Sequence, residues 1–275
     1  MNFAYEKPRT FDALLAVLSE HGSRACLLAG GTDLLVRLRA RTMSTELVID
    51  VKGVEDLHVV DHRSDGSIVL GAAVVANRIV DDQRFRPAHQ GLAQAASQIA
   101  TYAIRNRATL AGNIANASPC ADSVPPLCVM GAEVEVASVR GVRRLKLPDY
   151  IKGVRNTARR PDELISFVRI PPLGKGTRTF FRKHQRVRGH DLALANAALL
   201  HDPENQGLRL AIGACSPAPV VLDLHDLFGF LDAEEAAKRA MAAITPITDV
   251  RASAEYRIDM TGVLVRRLFA DLKAA

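Results

Sequence analysis

The segment that most restricts the fold is residues 26–51. Residues 26–29 read as a short buried strand, Gly30-Gly31-Thr32-Asp33 as a turn, residues 34–40 as an amphipathic helix and residues 47–51 as a second strand. Strand, glycine turn, helix, strand is a βαβ unit, which crosses over right-handed and leaves two parallel strands. Free backbone N–H groups at the turn and the dipole of the following helix favour an anion there. The turn matches neither GxGxxG nor GxxxxGK[ST]; the Gly174-Lys175-Gly176-Thr177 stretch lacks the upstream glycine and the adjacent hydroxyl of the latter. On these residues alone, a tight turn with an Asp or Thr helix cap stands beside an anion site as a reading.

Ahead of this unit, Thr10 is placed to cap a helix over Phe11–His21, which Gly22 ends. Beyond it, Leu57-His58-Val59-Val60 and Ile68-Val69-Leu70 flank Ser64-Asp65-Gly66, a hairpin signal. Residues 75–80 and 91–103 read as helices, and Pro125-Pro126 begins a further short one. Strands are expected at residues 132–139, 142–147 and 164–170, forming a mostly antiparallel sheet. Residues 171–176, PPLGKG, are the best linker in the chain. After it come three strands, at 179–184, 191–200 and 208–215, then helices at 233–243 and from about Ser253. In the last helix, Tyr256, Met260, Val263, Leu264, Leu268 and Leu272 recur at helical spacing.

With 275 residues, 48% of them hydrophobic, the chain can bury its own core as one large domain or two modest ones. Cys26, Cys120, Cys128 and Cys215 form no CxxC or Cys/His cluster, and nothing at the N-terminus resembles a signal peptide. We therefore expect a reducing cytoplasm and no metal or iron–sulfur site in this chain. Apolar runs such as residues 192–200 are too short to span a bilayer. The net charge is +6, and residues 140–188 hold fifteen Lys/Arg against three acidic residues. A solvated basic face accounts for most of these; an anionic cofactor or acidic partner subunit is the alternative. Nucleic acid is disfavoured, because tryptophan is absent and aromatics are 5%, which leaves few stacking platforms. The histidines show no triad or metal spacing.

Residues 101–126, TYAIRNRATLAGNIANASPCADSVPP, crowd Thr109, Asn113, Asn116, Ser118 and Asp122 around Gly112. Hydroxyl, amide and carboxylate groups beside a glycine suit a phosphate or a polyol, since the backbone can approach closely. A surface loop with helix caps has the same composition.

LLAGGTDLLVRLR, IRNRATLAGNIANASPCADSVPPL, DELISFVRIP, FFRKHQRVRGHDLA and DVRASAEYR occur here in that order. In this the chain resembles, from about residue 5 to residue 268, the FAD-binding medium subunit of the molybdenum hydroxylases, the family of xanthine dehydrogenase and carbon monoxide dehydrogenase. The resemblance implies an α+β protein with the two-subdomain FAD-binding fold of the vanillyl-alcohol-oxidase type: a small parallel α/β unit (about 1–55), then a mixed or antiparallel sheet with helices (56–172). A C-terminal domain, 177–275, would follow, with a three-stranded antiparallel sheet and helices. Two glycine loops would embrace the pyrophosphate, Ala29, Gly30, Gly31, Thr32 and Asp33 leading into Leu34, and Thr109, Leu110, Ala111, Gly112 and Asn113. The family has Gly-Gly where this chain has Ala111-Gly112. A methyl at a left-handed position costs ~1 kcal/mol, so Ala111 is expected in an allowed region.

By the same resemblance, Asp122, with Ser118 on its segment, would meet the ribityl hydroxyls; an Asp capping the helix at Pro125 is the other reading. Leu164 would pack near the flavin ring while serving as strand core. Lys183 would lie near the ring, where a cation stabilises negative charge on reduced flavin, or else be solvated. Tyr102 and Ile104 would face the ring, or in the case of Tyr102 fill core. Arg251, Ser253, Glu255 and Tyr256 would serve packing and capping. No catalytic side chain is expected, because the flavin carries the redox chemistry. Partners implied are a small subunit with two [2Fe–2S] clusters and a large subunit with the molybdenum cofactor, in a dimer of heterotrimers, with an external electron acceptor. The insertion that bears a [4Fe–4S] cluster in some members is absent. A free-standing FAD-dependent oxidase or dehydrogenase of the same fold is the alternative.

Overall fold

The computed structural model describes residues 2–187 and 189–275. Thr10 caps α1 (Phe11–His21) by accepting from the Ala13 N–H, and Gly22, at φ +49°, ends it while donating to the Leu18 carbonyl. Leu14, Leu15 and Leu18 bury one side of this helix. The first sheet comprises β1 (Ala4–Glu6), β2 (Ala25–Leu28) and β3 (Leu47–Asp50) in the order β1-β3-β2, with both pairs parallel. Helix α2 (Leu34–Arg39) makes the crossover from β2 to β3, as the βαβ pattern requires. Strand β1 escaped sequence reading because Ala-Tyr-Glu is three exposed residues with no alternation to mark it.

The second sheet is antiparallel throughout. It joins β4 (Val60–His62), β5 (Ile68–Gly71), β6 (Glu133–Ser138) and β7 (Gly141–Lys146). After a small hairpin of β8 (Ile151–Gly153) and β9 (Asn156–Thr157), β10 (Leu164–Ile170) completes it in the order β4-β5-β10-β6-β7. Helices α3 (Ala76–Asp81), α4 (Gln90–Ser97), α5 (Tyr102–Arg105), α6 (Leu110–Ala115) and α7 (Val124–Val129) lie between β5 and β6 in sequence, and α8 (Leu147–Tyr150) follows β7. The helix expected over 91–103 breaks after Ser97. Ala100 takes φ +42°, Thr101 caps α5 through the Ile104 N–H, and the Arg105 guanidinium satisfies the freed carbonyls of Ile99 and Ala100.

The third sheet has four strands, not the expected three: β11 (Arg178–His184), β12 (Ala195–Asp202), β13 (Gly207–Gly213) and β14 (Val220–Asp223), antiparallel in that order. Strand β14 is a short, half-exposed edge just after Pro217 and Pro219, so its local signal is weak. Side chains alternate across this sheet. Phe181, Ala198, Leu200 and Ala211 enter the core shared with the first two sheets, whereas Phe180, Ala197, Leu199, Leu210 and Ile212 face a second core. That second core is closed by α9 (Ala233–Ala243) and α10 (Ala254–Ala274). Strand β12 is thus covered on both faces, which explains why residues 192–200 are apolar apart from Asn196.

Ser253 caps α10 through the Tyr256 N–H. Its buried stripe, Arg257, Thr261, Gly262, Leu264, Val265, Leu268, Phe269 and Leu272, keeps Leu264, Leu268 and Leu272 of the stripe read in the sequence, whereas Met260 and Val263 are half-buried; Tyr256 is exposed and bonds His184 at 2.9 Å. About half of the basic run is paired within the chain: Arg140 pairs with Asp162, Arg143 with Glu163, Arg144 and Arg169 with Glu135, Arg155 with Asp33, Arg182 with Asp271, Lys183 with Asp122 and Arg186 with Asp191. Arg188 of that run lies outside the described residues. Among those residues no helix is long and apolar enough to cross a membrane.

Candidate cofactor-binding cleft

Strand β2 delivers the chain into the first glycine loop. Gly31 sits at φ +74°, a region that glycine enters without strain. At Gly30 the constraint is contact: a Cβ there would overlap the Arg107 carbonyl oxygen and lie 2.7 Å from its carbon and 2.9 Å from Ala108 Cα. The loop is therefore packed backbone to backbone against residues 107–108. Among the described residues, no hydrogen bond is made by the N–H groups of Gly30, Gly31 or Thr32. Lys52, which sequence reasoning missed, pins the loop by donating to the Ala29 carbonyl at 2.7 Å. It is held there by Asp50 at 2.6 Å, itself bonded to Tyr5 Oη. Burial pushes the Asp50 carboxyl up, but the hydrogen bonds from Lys52 and Tyr5 hold it below its ordinary value.

The second loop follows α5. Thr109 caps α6 by accepting from the Gly112 N–H at 3.0 Å, and Leu110 N–H bonds the Val74 carbonyl. Ala111 lies within α6 with helical backbone and buries its methyl in the core. The expected allowed conformation is observed. Asn113 accepts from Ser123 Oγ at 2.6 Å. Arg155, in the turn of the β8–β9 hairpin, donates to Asn116 Oδ1 at 2.6 Å and to Asp33 Oδ2 at 3.3 Å, so one guanidinium bridges the two loops.

Between the loops lies a cavity of about 460 Å³, walled by Ala29 to Leu34 on one side and by Thr109, Gly112, Asn113 and Asn116 on the other. Ile99, Ala100, Ile104 and Ile165 add apolar wall. A second cavity of about 310 Å³ shares Ile99, Ala100, Asn113 and Asn116 with it and continues to Ser118, Asp122 and Lys183. Asp122 is not a helix cap. It is buried, accepting from Lys183 Nζ at 2.7 Å and from Asn196 Nδ2 at 3.0 Å. Lys183 is not solvated, its side chain being 2% exposed. Burial raises the Asp122 carboxyl above its ordinary value, and the Lys183 charge and the two hydrogen bonds oppose that rise. Four sequence candidates stand apart from the cavity walls: Tyr102 is exposed at 63%, Leu110 and Ala111 face the core, and Leu164 is buried in the core while its neighbour Ile165 lines the cleft.

Residues 1–173 match the family described as the FAD binding domain in molybdopterin dehydrogenase. The chain belongs to this family. Residues 232–272 match the CO dehydrogenase flavoprotein C-terminal domain. The FAD-binding chain is 28% identical to the xanthine dehydrogenase FAD-binding subunit of Escherichia coli O157:H7, over 99% of its own length and 96% of that protein's. To the carbon monoxide dehydrogenase medium chain of Hydrogenophaga pseudoflava it is also 28% identical, covering 96% and 95%. Its fold superposes on a chain of reconstituted CO dehydrogenase from Oligotropha carboxidovorans with a TM-score of 0.92 at 27% identity, covering 100% and 98%. With a chain of quinoline 2-oxidoreductase from Pseudomonas putida 86 the TM-score is 0.89 at 26% identity, covering 98% and 96%. As a member of this family the chain is an oxidoreductase component whose cofactor is FAD.

Beside Lys52, sequence reasoning passed over Arg155 and Asn196 in this FAD-binding chain. Each reaches the cleft from a distant segment, Arg155 across 122 residues to Asp33 and Asn196 across 74 to Asp122. Only the odd placement of Asn196 among the apolar residues 192–200 was visible as a signal. Arg257, within the DVRASAEYR segment, was also unread: it is 1% exposed and donates to the Leu194 carbonyl at 2.7 Å and to Asp249 at 2.9 Å.

Proposed function

We propose that this chain is the flavin-bearing electron-transfer subunit of a heteromeric molybdenum hydroxylase. Its partners would be a small subunit with two [2Fe–2S] clusters and a large subunit with the molybdenum cofactor, assembled as a dimer of heterotrimers. Electrons from the clusters would reach an external acceptor by way of the FAD held here. The observation that supports this reading most directly is the cleft between the two loops: the first leaves the N–H groups of Gly30, Gly31 and Thr32 without partners among the described residues, and the cavity they face adjoins a second that reaches Asp122 and Lys183. The residues fit FAD. Backbone N–H groups unblocked by a Cβ suit a pyrophosphate, and the Asp122 carboxylate has lone pairs left to accept from ribityl hydroxyls.

Within this reading, Gly30, Gly31, Thr32, Gly112 and Asn113 bind the phosphates, Lys52 and Arg155 keep the loops in register, and Ile99, Ala100 and Ile165 exclude water from the apolar wall. Bound FAD supplies the ability to accept and pass on electrons, which no side chain here provides. The test is purification of the chain alone and co-expressed with candidate partner subunits. FAD absorbance that survives gel filtration, and dehydrogenase activity that appears only in the co-purified complex, are expected. A lone, fully active monomer refutes the subunit assignment and favours a free-standing oxidase.

A further inference from the structure

Asp122, Lys183 and Asn196 meet where the N-terminal part of the chain touches the third sheet. Lys183 and Asn196 are paired positions on β11 and β12, and Gly213 is the partner of Asn196 on β13. The three form one rung across the sheet. A Cβ at Gly213 would overlap Asn196 Oδ1 and come within 3.1 Å of Pro125 Cγ, so the missing side chain opens the slot in which the Asn196 amide lies. In that slot Asn196 is fully buried; its Nδ2 donates to Asp122, and its Oδ1 has no hydrogen-bond partner. A buried amide oxygen without a donor is a desolvation cost. What the fold gains in exchange is a fixed carboxylate.

The other Asp122 oxygen takes the Lys183 ammonium at 2.7 Å, and Lys183 Nζ also reaches the Gln98 carbonyl at 3.3 Å. As ammonium and carboxylate, the two groups cancel and the pair is neutral overall. The other charged carboxylate lining this cavity, Asp191, is paired with Arg186, and His190 and the Cys120 thiol, which burial pushes up, are the remaining titratable groups among its lining residues. A lysine alone would present a full positive charge to a bound molecule; here that charge is matched within the wall itself.

We propose that Asp122 is the counter-ion that offsets Lys183 and that Asn196 is a positioning residue for it, so that the pair, not the lysine alone, sets the reduction potential of flavin bound in this cavity. The inference rests on the reading that the FAD ring lies beside Lys183. A fixed cation favours the more negative, reduced form and raises the potential, while a fixed anion lowers it. The carboxylate at 2.7 Å therefore holds the potential below the value that Lys183 would impose unopposed.

The experiment is spectroelectrochemical titration of the FAD-loaded full chain against a reference dye, for the unaltered protein and for Asp122→Asn, Lys183→Met, Asn196→Ala and the Asp122→Asn/Lys183→Met double variant. Asp122→Asn is expected to shift the potential positive and Lys183→Met negative, with the double variant close to the unaltered protein. Asn196→Ala is expected to shift it in the same sense as Asp122→Asn but less. An unchanged potential in Asp122→Asn, or shifts of one sign in both single variants, overturns the inference while leaving FAD binding intact. An unaltered protein that does not retain FAD overturns the underlying reading instead. Where a single variant releases FAD, the comparison is made on dissociation constants from flavin fluorescence. Coupling is then expected to make the double variant bind at least about tenfold tighter than the product of the single losses; purely multiplicative losses overturn the pair.

Discussion

Gly30→Ala and Gly112→Ala add the same methyl to the two glycine loops, yet opposite outcomes are expected. At Gly30 the new Cβ meets the Arg107 carbonyl and Ala108 Cα, all of them backbone, so nothing can rotate away and the loops must part. Overpacking of this kind costs about 1–3 kcal/mol, and backbone contacts place Gly30→Ala at the upper end, about 3 kcal/mol. At Gly112 the nearest atom is Thr109 Oγ1 at 2.8 Å, a side-chain hydroxyl and not backbone, and Ala29 Cβ lies 4.0 Å away. Losing the Thr109 cap costs about 1 kcal/mol, while alanine for glycine inside α6 returns about 1 kcal/mol. For a chain of this size each kcal/mol moves the melting temperature by roughly 2–4 °C. Gly30→Ala should therefore melt roughly 6–12 °C lower and lose FAD on gel filtration, with Gly112→Ala close to the unaltered protein in melting temperature. Thermal unfolding followed by circular dichroism, with flavin absorbance of the eluted peak, measures both. A Gly30→Ala protein with unchanged melting and full FAD content, or a Gly112→Ala protein as unstable as Gly30→Ala, refutes the packing argument.

His89 is buried and its imidazole is held down from 6.5 to about 4, first by desolvation and then by His62. The neutral form is favoured in the fold, so its contribution is fully present above pH 6.5 and is lost as pH falls towards 4, where the unfolded chain takes up the proton first. Urea titrations should show about 3 kcal/mol less acid destabilisation in His89→Phe across that window, and parallel pH profiles for the two proteins would count against burial as the cause. Asp249 pairs with both Arg251 and the fully buried Arg257. Asp249→Asn should cost about 3–5 kcal/mol because it strands a buried cation, whereas Arg257→Met should cost about 1–3 kcal/mol because the Leu194 carbonyl keeps only the weak Cys215 thiol as donor; the reverse order in denaturant midpoints would contradict this. Ala111→Gly should lower stability by about 1 kcal/mol and leave FAD affinity no tighter, as judged by fluorescence titration.

Much of the fold was legible because local signals agreed with the tertiary result. The Thr10 cap and the Gly22 stop bound α1, and the glycine turn between two apolar strands is the parallel βαβ unit. The strand read over 164–170 is the central strand of the second sheet, and the helix read over 233–243 is α9. What failed were elements defined by distant partners. Strand β1 exists only because β3 offers it an edge, and the helix over 91–103 breaks because Arg105 folds back on the carbonyls that the break exposes. In the cleft, the two glycine loops were visible as composition, but their contact at Gly30 and residues 107–108 is a property of packing. Lys52, Arg155 and Asn196 reach it from elsewhere in the chain, and no spacing rule connects them to it.

Ala111 shows how a family departure changes meaning once its backbone is known. In sequence, alanine where the family has glycine looks like a threat to a phosphate loop, and the threat is real only at a left-handed position. Thr109 removes it: by capping α6 at the Gly112 N–H, it places residue 111 in the first turn of a helix, where alanine is the preferred residue. The methyl then points into the core, away from the cavity wall that Thr109, Gly112 and Asn113 form. The position that cannot accept a side chain is Gly30, whose conformation is unremarkable but whose neighbour is the backbone of the other loop. Close approach of the two loops, more than glycine's access to positive φ, is what the cleft demands of this sequence.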